Sequence, residues 1–276
     1  MAKMTGGAAI VATLRQHGVD AVFGLPGVQL DNLFDALHGA RQEVRTLHAR
    51  HEQGAAYMAL GYAQASGKVG VFAVVPWVGR ADAPSDVPAR LGEAFHAMLA
   101  GRHQPAVFEM APDMMGATAE IAPHTPAALA PLPPDAGAIA RAARLLASAR
   151  APAIFVGSGV FGAEVELRAV AERLGAPVVM SRTGRGALPD RHPLALGMLG
   201  GQEIWDDIDV VLVVGSRFLA PALSWGRADD VQVVRIDVDA AQINKPRQAG
   251  IAIIAHARPA LAALAAELGA GSGARL

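Results

Sequence analysis

The hydrophobic pattern of this chain switches repeatedly between two periods. Short, nearly unbroken apolar runs occur at residues 21–25, 69–75, 106–110, 153–156, 177–180, 210–214 and 231–236, and residues 44–49 read as a further short strand. Between them, apolar positions recur at helical spacing. Leu30, Leu33, Phe34 and Leu37 fall on one helical face, and Val87, Leu91, Phe95 and Met98 on another. Residues 52–66 are rich in alanine and stop at Gly67, a helix with a glycine terminator. Further helices are predicted around Ile139, Leu145 and Leu146, over about 163–174, and over about 259–268. Strands that read as continuous Val/Ile runs are buried on both faces, and their alternation with helices predicts an α/β fold with mostly parallel sheets. Pro, Ala and Thr crowd residues 111–135, where periodicity fades. The expected organisation is an N-terminal domain over 1–116, a linker over 117–135, a second α/β domain over 136–270 and a tail over 271–276.

Composition narrows the function classes. A length of 276 residues suits two domains, and 52% hydrophobic against 18% charged residues gives material for two cores. A formal net charge of -1 offers no basic surplus for nucleic acid or an anionic membrane surface. The absence of cysteine excludes disulfides, thiolate metal sites and cysteine nucleophiles. The first residues lack a basic segment followed by an apolar one, and every apolar run falls short of the ~20 residues of a membrane span. A soluble, cytoplasmic protein is expected.

Two places carry candidate chemistry. In Arg50-His51-Glu52-Gln53-Gly54-Ala55-Ala56, a carboxylate stands where a strand hands over to a helix. Glu52 is either a first-turn acid that interacts with the helix dipole or a functional carboxylate. Residues 157–162 (GSGVFG) fit G-x-G-x-x-G between a predicted strand and a predicted helix, the setting of a phosphate-binding loop. A dinucleotide site also wants an acidic residue at the end of the next strand, and that region reads Met180-Ser181-Arg182-Thr183. Gly157 and Gly159 therefore read first as a structural turn and second as a nucleotide loop. Arg217 and Asp237 follow predicted strands and could serve phosphate and ribose, or be a surface arginine and a strand-end acid. The nine histidines show no metal-ligand spacing. Trp205 and Trp225 read as packing residues.

Taken in order, Phe23-Gly24-Leu25-Pro26-Gly27, Leu30-Asp31-Asn32-Leu33-Phe34 and His51-Glu52-Gln53-Gly54-Ala55-Ala56-Tyr57 resemble the pyrimidine-binding domain of thiamine-diphosphate enzymes of the acetolactate synthase type. Residues 136–268 resemble the Rossmann-like central domain of the same family, through residues 183–193 (TGRGALPDRHP), 213–218 (VVGSRF) and 235–239 (RIDVD). The resemblance implies a decarboxylase or carboligase acting on 2-keto acids with thiamine diphosphate and Mg2+. It implies that Glu52 hydrogen-bonds the aminopyrimidine and relays the proton that activates the thiazolium, with Pro26 and Gly27 beside the ring. Some members hold FAD or ADP in the central domain; many use it as a scaffold.

The sequence departs from the family pattern twice. Pro76 runs directly into Trp77, joining segments that relatives separate by roughly 60 residues that line the cofactor pocket. No Gly-Asp-Gly motif is present, and the only asparagines are Asn32 and Asn244, so the Mg2+ and diphosphate ligands of the family are missing. The resemblance thus implies an incomplete chain that is inactive alone. Its expected partners are a second copy, as a dimer, or a chain that supplies the diphosphate-binding domain. The alternatives are a non-catalytic ADP- or FAD-binding module and a partner-binding module.

Overall fold

The computed structural model describes residues 2–27, 30–73, 80–103, 105–122, 124–126, 128–226 and 230–269. They form two compact units, Met1–Leu129 and Ala130–Leu276. The Pro76–Trp77 junction and the tail lie outside the described residues.

The first unit opens with strand β1 (Ala2–Thr5) and helix α1 (Gly6–Gln16), whose N-terminus is capped by the Thr5 hydroxyl accepting from the Ala8 N–H at 3.1 Å. Then follow β2 (Ala21–Gly24), α2 (Asp31–Gly39), β3 (Arg45–His48), α3 (Glu52–Ser66) and β4 (Val71–Ala73). The three strands make a parallel sheet in the order β3-β2-β4, with Phe23 beside both Leu47 and Phe72. Alternation along β2 explains the layers. Ala21 and Phe23 face α3 through Ala55 and Ala59. Val22 faces the opposite layer, where Ile10 and Leu14 of α1, Leu33 and Leu37 of α2, and Leu91 and Phe95 of α4 (Val87–Leu99) form the main core.

A separate parallel pair, β5 (Arg80–Ala81) with β6 (Glu109–Met110), lies outside the three-stranded sheet. The strand expected at 106–110 is thus reduced to its last two residues. The region expected as a linker is partly structured. It contains β7 (Thr118–Ile121), which follows α5 (Pro112–Gly116) and pairs antiparallel with β1, Ile121 opposite Ala2. The ribbon buries only Ile121 of its four residues, so it left no clear alternation in a Pro- and Ala-rich stretch.

The second unit runs α6 (Ala136–Ser148), β8 (Pro152–Val156), α7 (Glu164–Leu174), β9 (Val178–Met180), β10 (Ala195–Leu196), α8 (Met198–Glu203), β11 (Val210–Val214), α9 (Leu219–Leu223), β12 (Gln232–Asp237), β13 (Ile251–Ile254) and α10 (Ala257–Leu268). All six strands are parallel, in the order β10-β9-β8-β11-β12-β13. One face is covered by α6, α7 and α10. The other carries Phe155, Trp205 and Phe218 with Trp225 against them, in edge-to-face contacts with centroids 5.2–6.1 Å apart. Trp205 and Trp225 therefore pack, as the sequence suggested. The α/β class with mostly parallel sheets holds in both units.

The entrances of β8 and β11 are tied by Asp209, whose carboxylate accepts the N–H groups of Arg150 at 2.8 Å and Ala151 at 3.1 Å. Burial works to raise its pKa, but these N–H bonds and the Arg150 charge hold it below the usual aspartate value.

Candidate functional site

Glu52 is the first residue of α3, at the carboxyl end of β3. His51 caps the helix: its backbone is extended and its Nδ1 accepts the Gln53 N–H at 3.2 Å. The cap is thus supplied by the histidine. That leaves the Glu52 carboxylate, 3.8 Å from His51 Nδ1, with 55% of its side chain in solvent. A sheltered pocket for this carboxyl group, expected from its proposed role, is not formed by the described residues of this unit.

Pro26 and Gly27 leave the carboxyl end of the adjacent strand β2, and the Ala49 N–H donates to Gly24 O at 3.0 Å, which couples the two strand exits. Pro26, Gly27 and Glu52 therefore share one sheet edge. The outer face of α3 is apolar and uncovered, with Tyr57 at 68% and Leu60 at 52% exposure beside Met58. The far end of the helix is fixed by a cluster that sequence reasoning missed. The Tyr62 hydroxyl donates to Asp20, and Lys68 Nζ donates to the other Asp20 oxygen at 2.6 Å. The Lys68 hydrogen bond, then that from Tyr62, holds the Asp20 carboxyl below its ordinary pKa, and Asp20 raises that of Lys68. Three residues so far apart in sequence carry no spacing signal.

The glycine loop lies in the second unit, at the switch point where β8 neighbours both β9 and β11. Ligands of open α/β sheets enter at such a point. Here five of the loop's six backbone N–H groups are already used. Gly157 N–H donates to Val214 O, Gly159 to Gly215 O, Val160 to Gly157 O and Phe161 to Ser158 O, at 3.1–3.3 Å. Gly162 N–H donates to the Glu164 carboxylate at 3.0 Å. The first turn of α7 carries Glu164 and Glu166, which disfavours an anion at its N-terminus. A Cβ on Gly157 would lie 2.4 Å from Gly215 O, and one on Gly159 would lie 2.7 Å from Gly215 Cα. Gly157 and Gly159 thus serve a close crossing of two strand-end loops, the structural one of their two readings.

Arg217 is exposed beyond this crossing. Asp237 is engaged: its Oδ1 accepts the Asp239 N–H at 3.1 Å, and its other oxygen lies 3.7 Å from Arg235. Arg235, 2% exposed, donates to Ser216 O at 2.8 Å and to Lys245 O, pinning the loop after β11. Among the described residues no group of three or more His, Asp or Glu side chains could hold a metal ion. No described helix is long and apolar enough to cross a membrane.

Residues 4–88 match the thiamine pyrophosphate enzyme N-terminal TPP binding domain, and residues 139–264 match the thiamine pyrophosphate enzyme central domain. The chain belongs to the thiamine pyrophosphate enzyme family. Within that family it is similar to the acetolactate synthase large subunit of Corynebacterium glutamicum, 30% identical over 330 positions that cover 95% of this chain and 52% of the relative. It is 28% identical to the acetolactate synthase of Arthrospira platensis, over 94% of this chain and 57% of that protein. It is 29% identical to a probable 2-ketoarginine decarboxylase of Pseudomonas aeruginosa, over 96% of this chain and 58% of that protein. The chain spans about half the length of these curated relatives. The 330 aligned positions of the first exceed the 276 residues of this chain by 54, so relatives carry at least that many internal positions without a counterpart here.

Proposed function

We propose that this chain supplies the pyrimidine-facing part of a thiamine-diphosphate-dependent decarboxylase or carboligase acting on 2-keto acids, with Glu52 as its proton-relay carboxylate. One observation carries the reading. The Glu52 carboxylate stands 55% exposed at the carboxyl edge of the parallel sheet, beside the Pro26–Gly27 exit and 3.8 Å from His51 Nδ1, while His51 makes the helix cap. An acid needed only to cap the helix would be redundant there.

The residues present fit one half of the cofactor. Glu52 can share a proton with a ring nitrogen of an aminopyrimidine, and the side-chain-free Gly27 allows a flat ring to approach the strand exit. The sequence holds no Gly-Asp-Gly, the motif that the family uses for Mg2+ and the diphosphate. When bound, thiamine diphosphate supplies an electron sink for loss of carbon dioxide from a 2-keto acid. The task of this chain is to hold the relay carboxylate in place: Ala55 and Ala59 seat α3 on β2, His51 fixes its start, and Asp20 fixes its end through Tyr62. Calorimetric titration of the 276-residue polypeptide is expected to give no thiamine diphosphate binding at micromolar affinity, with or without Mg2+. A tight, Mg2+-dependent isotherm would refute the assignment of only half a site to this chain.

The shelter that the carboxylate lacks would come from a second chain, either another copy or one carrying the diphosphate-binding domain. The exposed Tyr57, Met58 and Leu60 on α3 offer the contact surface. Sedimentation is expected to show self-association, chiefly a dimer, and Leu60→Glu is expected to shift it toward monomer without lowering the melting temperature. A wild-type chain that stays monomeric at high concentration contradicts this mode of assembly.

A further inference from the structure

We propose that His17 and His124 form a pH-operated clasp that holds the segment after β7 against α1 and α4 and releases it on mild acidification. The clasp lies in the helical layer of α1 and α4, which is the face of the three-stranded sheet opposite α3 and Glu52. It is therefore distinct from the edge described above.

The geometry is a stack of three rings. His17, at the C-terminal end of α1, lies on Phe95 of α4 with centroids 3.9 Å apart and planes 17° apart. His124 stacks on His17 from the segment that leaves β7, with centroids 5.2 Å apart and planes 18° apart. The helix beneath makes room for it. A Cβ at Gly92 would fall 2.4 Å from His124 Cε1, so α4 carries a glycine, a poor helix former, at the point where the ring rests. The rings border a cavity of about 480 Å³.

The stack favours uncharged imidazoles. His17 Nε2 is shut off from solvent and has no hydrogen-bond partner among the described residues. A proton added to His17 places a cation against the His124 ring, with nothing to accept the second N–H. The other titratable groups on the cavity do not rescue it. Glu93 lines it, but its carboxylate is engaged by Arg90 at 3.0 Å. His96 lines it too and offers no negative charge. Arg15, the cation of the last turn of α1, is paired with Glu43. Burial, and then His124, lower the His17 pKa from its ordinary 6.5. The released form thus binds the proton more readily than the clasped form. Clasping is fully present above pH ~6.5 and is lost as the pH falls from there through the lowered value of the clasped state.

Hydrogen exchange, corrected for the intrinsic pH dependence of the amide reaction, tests this on the full chain at pH 7.5, 6.5 and 5.5. Peptides over residues 118–129 are compared with an internal reference from β11. Opening of the 118–129 segment relative to the reference is expected to rise from pH 7.5 to 5.5, the direction set by the lowered His17 pKa of the clasped form. His17→Phe keeps a ring on Phe95 and is expected to flatten the pH response. Gly92→Ala is expected to open the segment already at pH 7.5. Equal protection of the wild type at pH 7.5 and 5.5 would overturn the proposal. So would a His17→Phe variant that keeps the wild-type pH response. If His17→Phe does not fold, His124→Gln takes its place: an open segment with no pH step is the expected result, and a retained pH step overturns the clasp.

Discussion

Glu52→Gln is expected to reduce 2-keto acid turnover by about 10²–10⁴-fold in an assembly reconstituted with a chain that supplies the diphosphate-binding domain. The melting temperature of the chain should barely move. The two expectations follow from separate observations. The Glu52 side chain is 55% exposed, so the isosteric amide costs no packing. The cap hydrogen bond belongs to His51, so the start of α3 survives. What disappears is the proton that a carboxyl group can exchange with a ring nitrogen and an amide cannot. The competing view makes Glu52 a first-turn acid that favours the helix dipole, an effect of about 0.3–1 kcal/mol. A hundredfold loss of rate corresponds to about 2.7 kcal/mol in the barrier, which lies outside that range. His51→Ala serves as the opposite control: it removes the cap and should destabilise α3 by about 1 kcal/mol. A Glu52→Gln chain that melts early yet turns over normally would remove Glu52 from the mechanism.

The elements that could be read from sequence are those whose burial is one-sided at a fixed period or complete over a run. Helix α3 was legible to the residue, because Glu52 opens an Ala-rich stretch and Gly67, with φ of 69°, closes it. Strand β11 was equally clear, since all five of its residues are buried. Helix α1 was not named, although it buries Ile10, Val11 and Leu14. Its first turn is Gly6 and Gly7, residues that argue against a helix until the tight packing of that turn is known. The edge strand β13 escaped because only one of its four residues is buried. At the candidate site, Pro26, Gly27 and Glu52 were expected from the order of three motifs. The exposure of Glu52 was not, since cover from a second chain or a further segment is invisible to local pattern. The contacts that fix the far end of α3, and the Arg235 bond to Ser216, join residues 19 to 48 positions apart and left no periodic trace.

Gly157→Ala is expected to destabilise the second unit by about 3 kcal/mol with no nucleotide present, the upper end of the usual cost of overpacking. The new methyl group would lie 2.4 Å from Gly215 O and 2.8 Å from Ser216 Cα, both backbone atoms. That backbone has little freedom to yield. Arg235 holds Ser216 O at 2.8 Å, and Phe218, itself at φ of 55°, is locked by ring contacts with Phe155 and Trp205. Gly215→Ala meets the same crossing from the other side, 2.4 Å from Gly159 Cα, and adds the cost of a side chain at φ of 53°. It should therefore be the more damaging of the two. Gly186→Ala separates the two costs, since Gly186 has φ of 95° but open space around it. It should pay only the backbone penalty, about 1–2 kcal/mol. Urea unfolding followed by tryptophan fluorescence reads all three, because Trp205 and Trp225 both report on the second unit. A phosphate-binding loop would behave in the reverse way: Gly157→Ala would keep its stability and lose affinity for ADP or FAD. A stable Gly157→Ala chain whose wild-type parent binds either nucleotide would return residues 157–162 to that role.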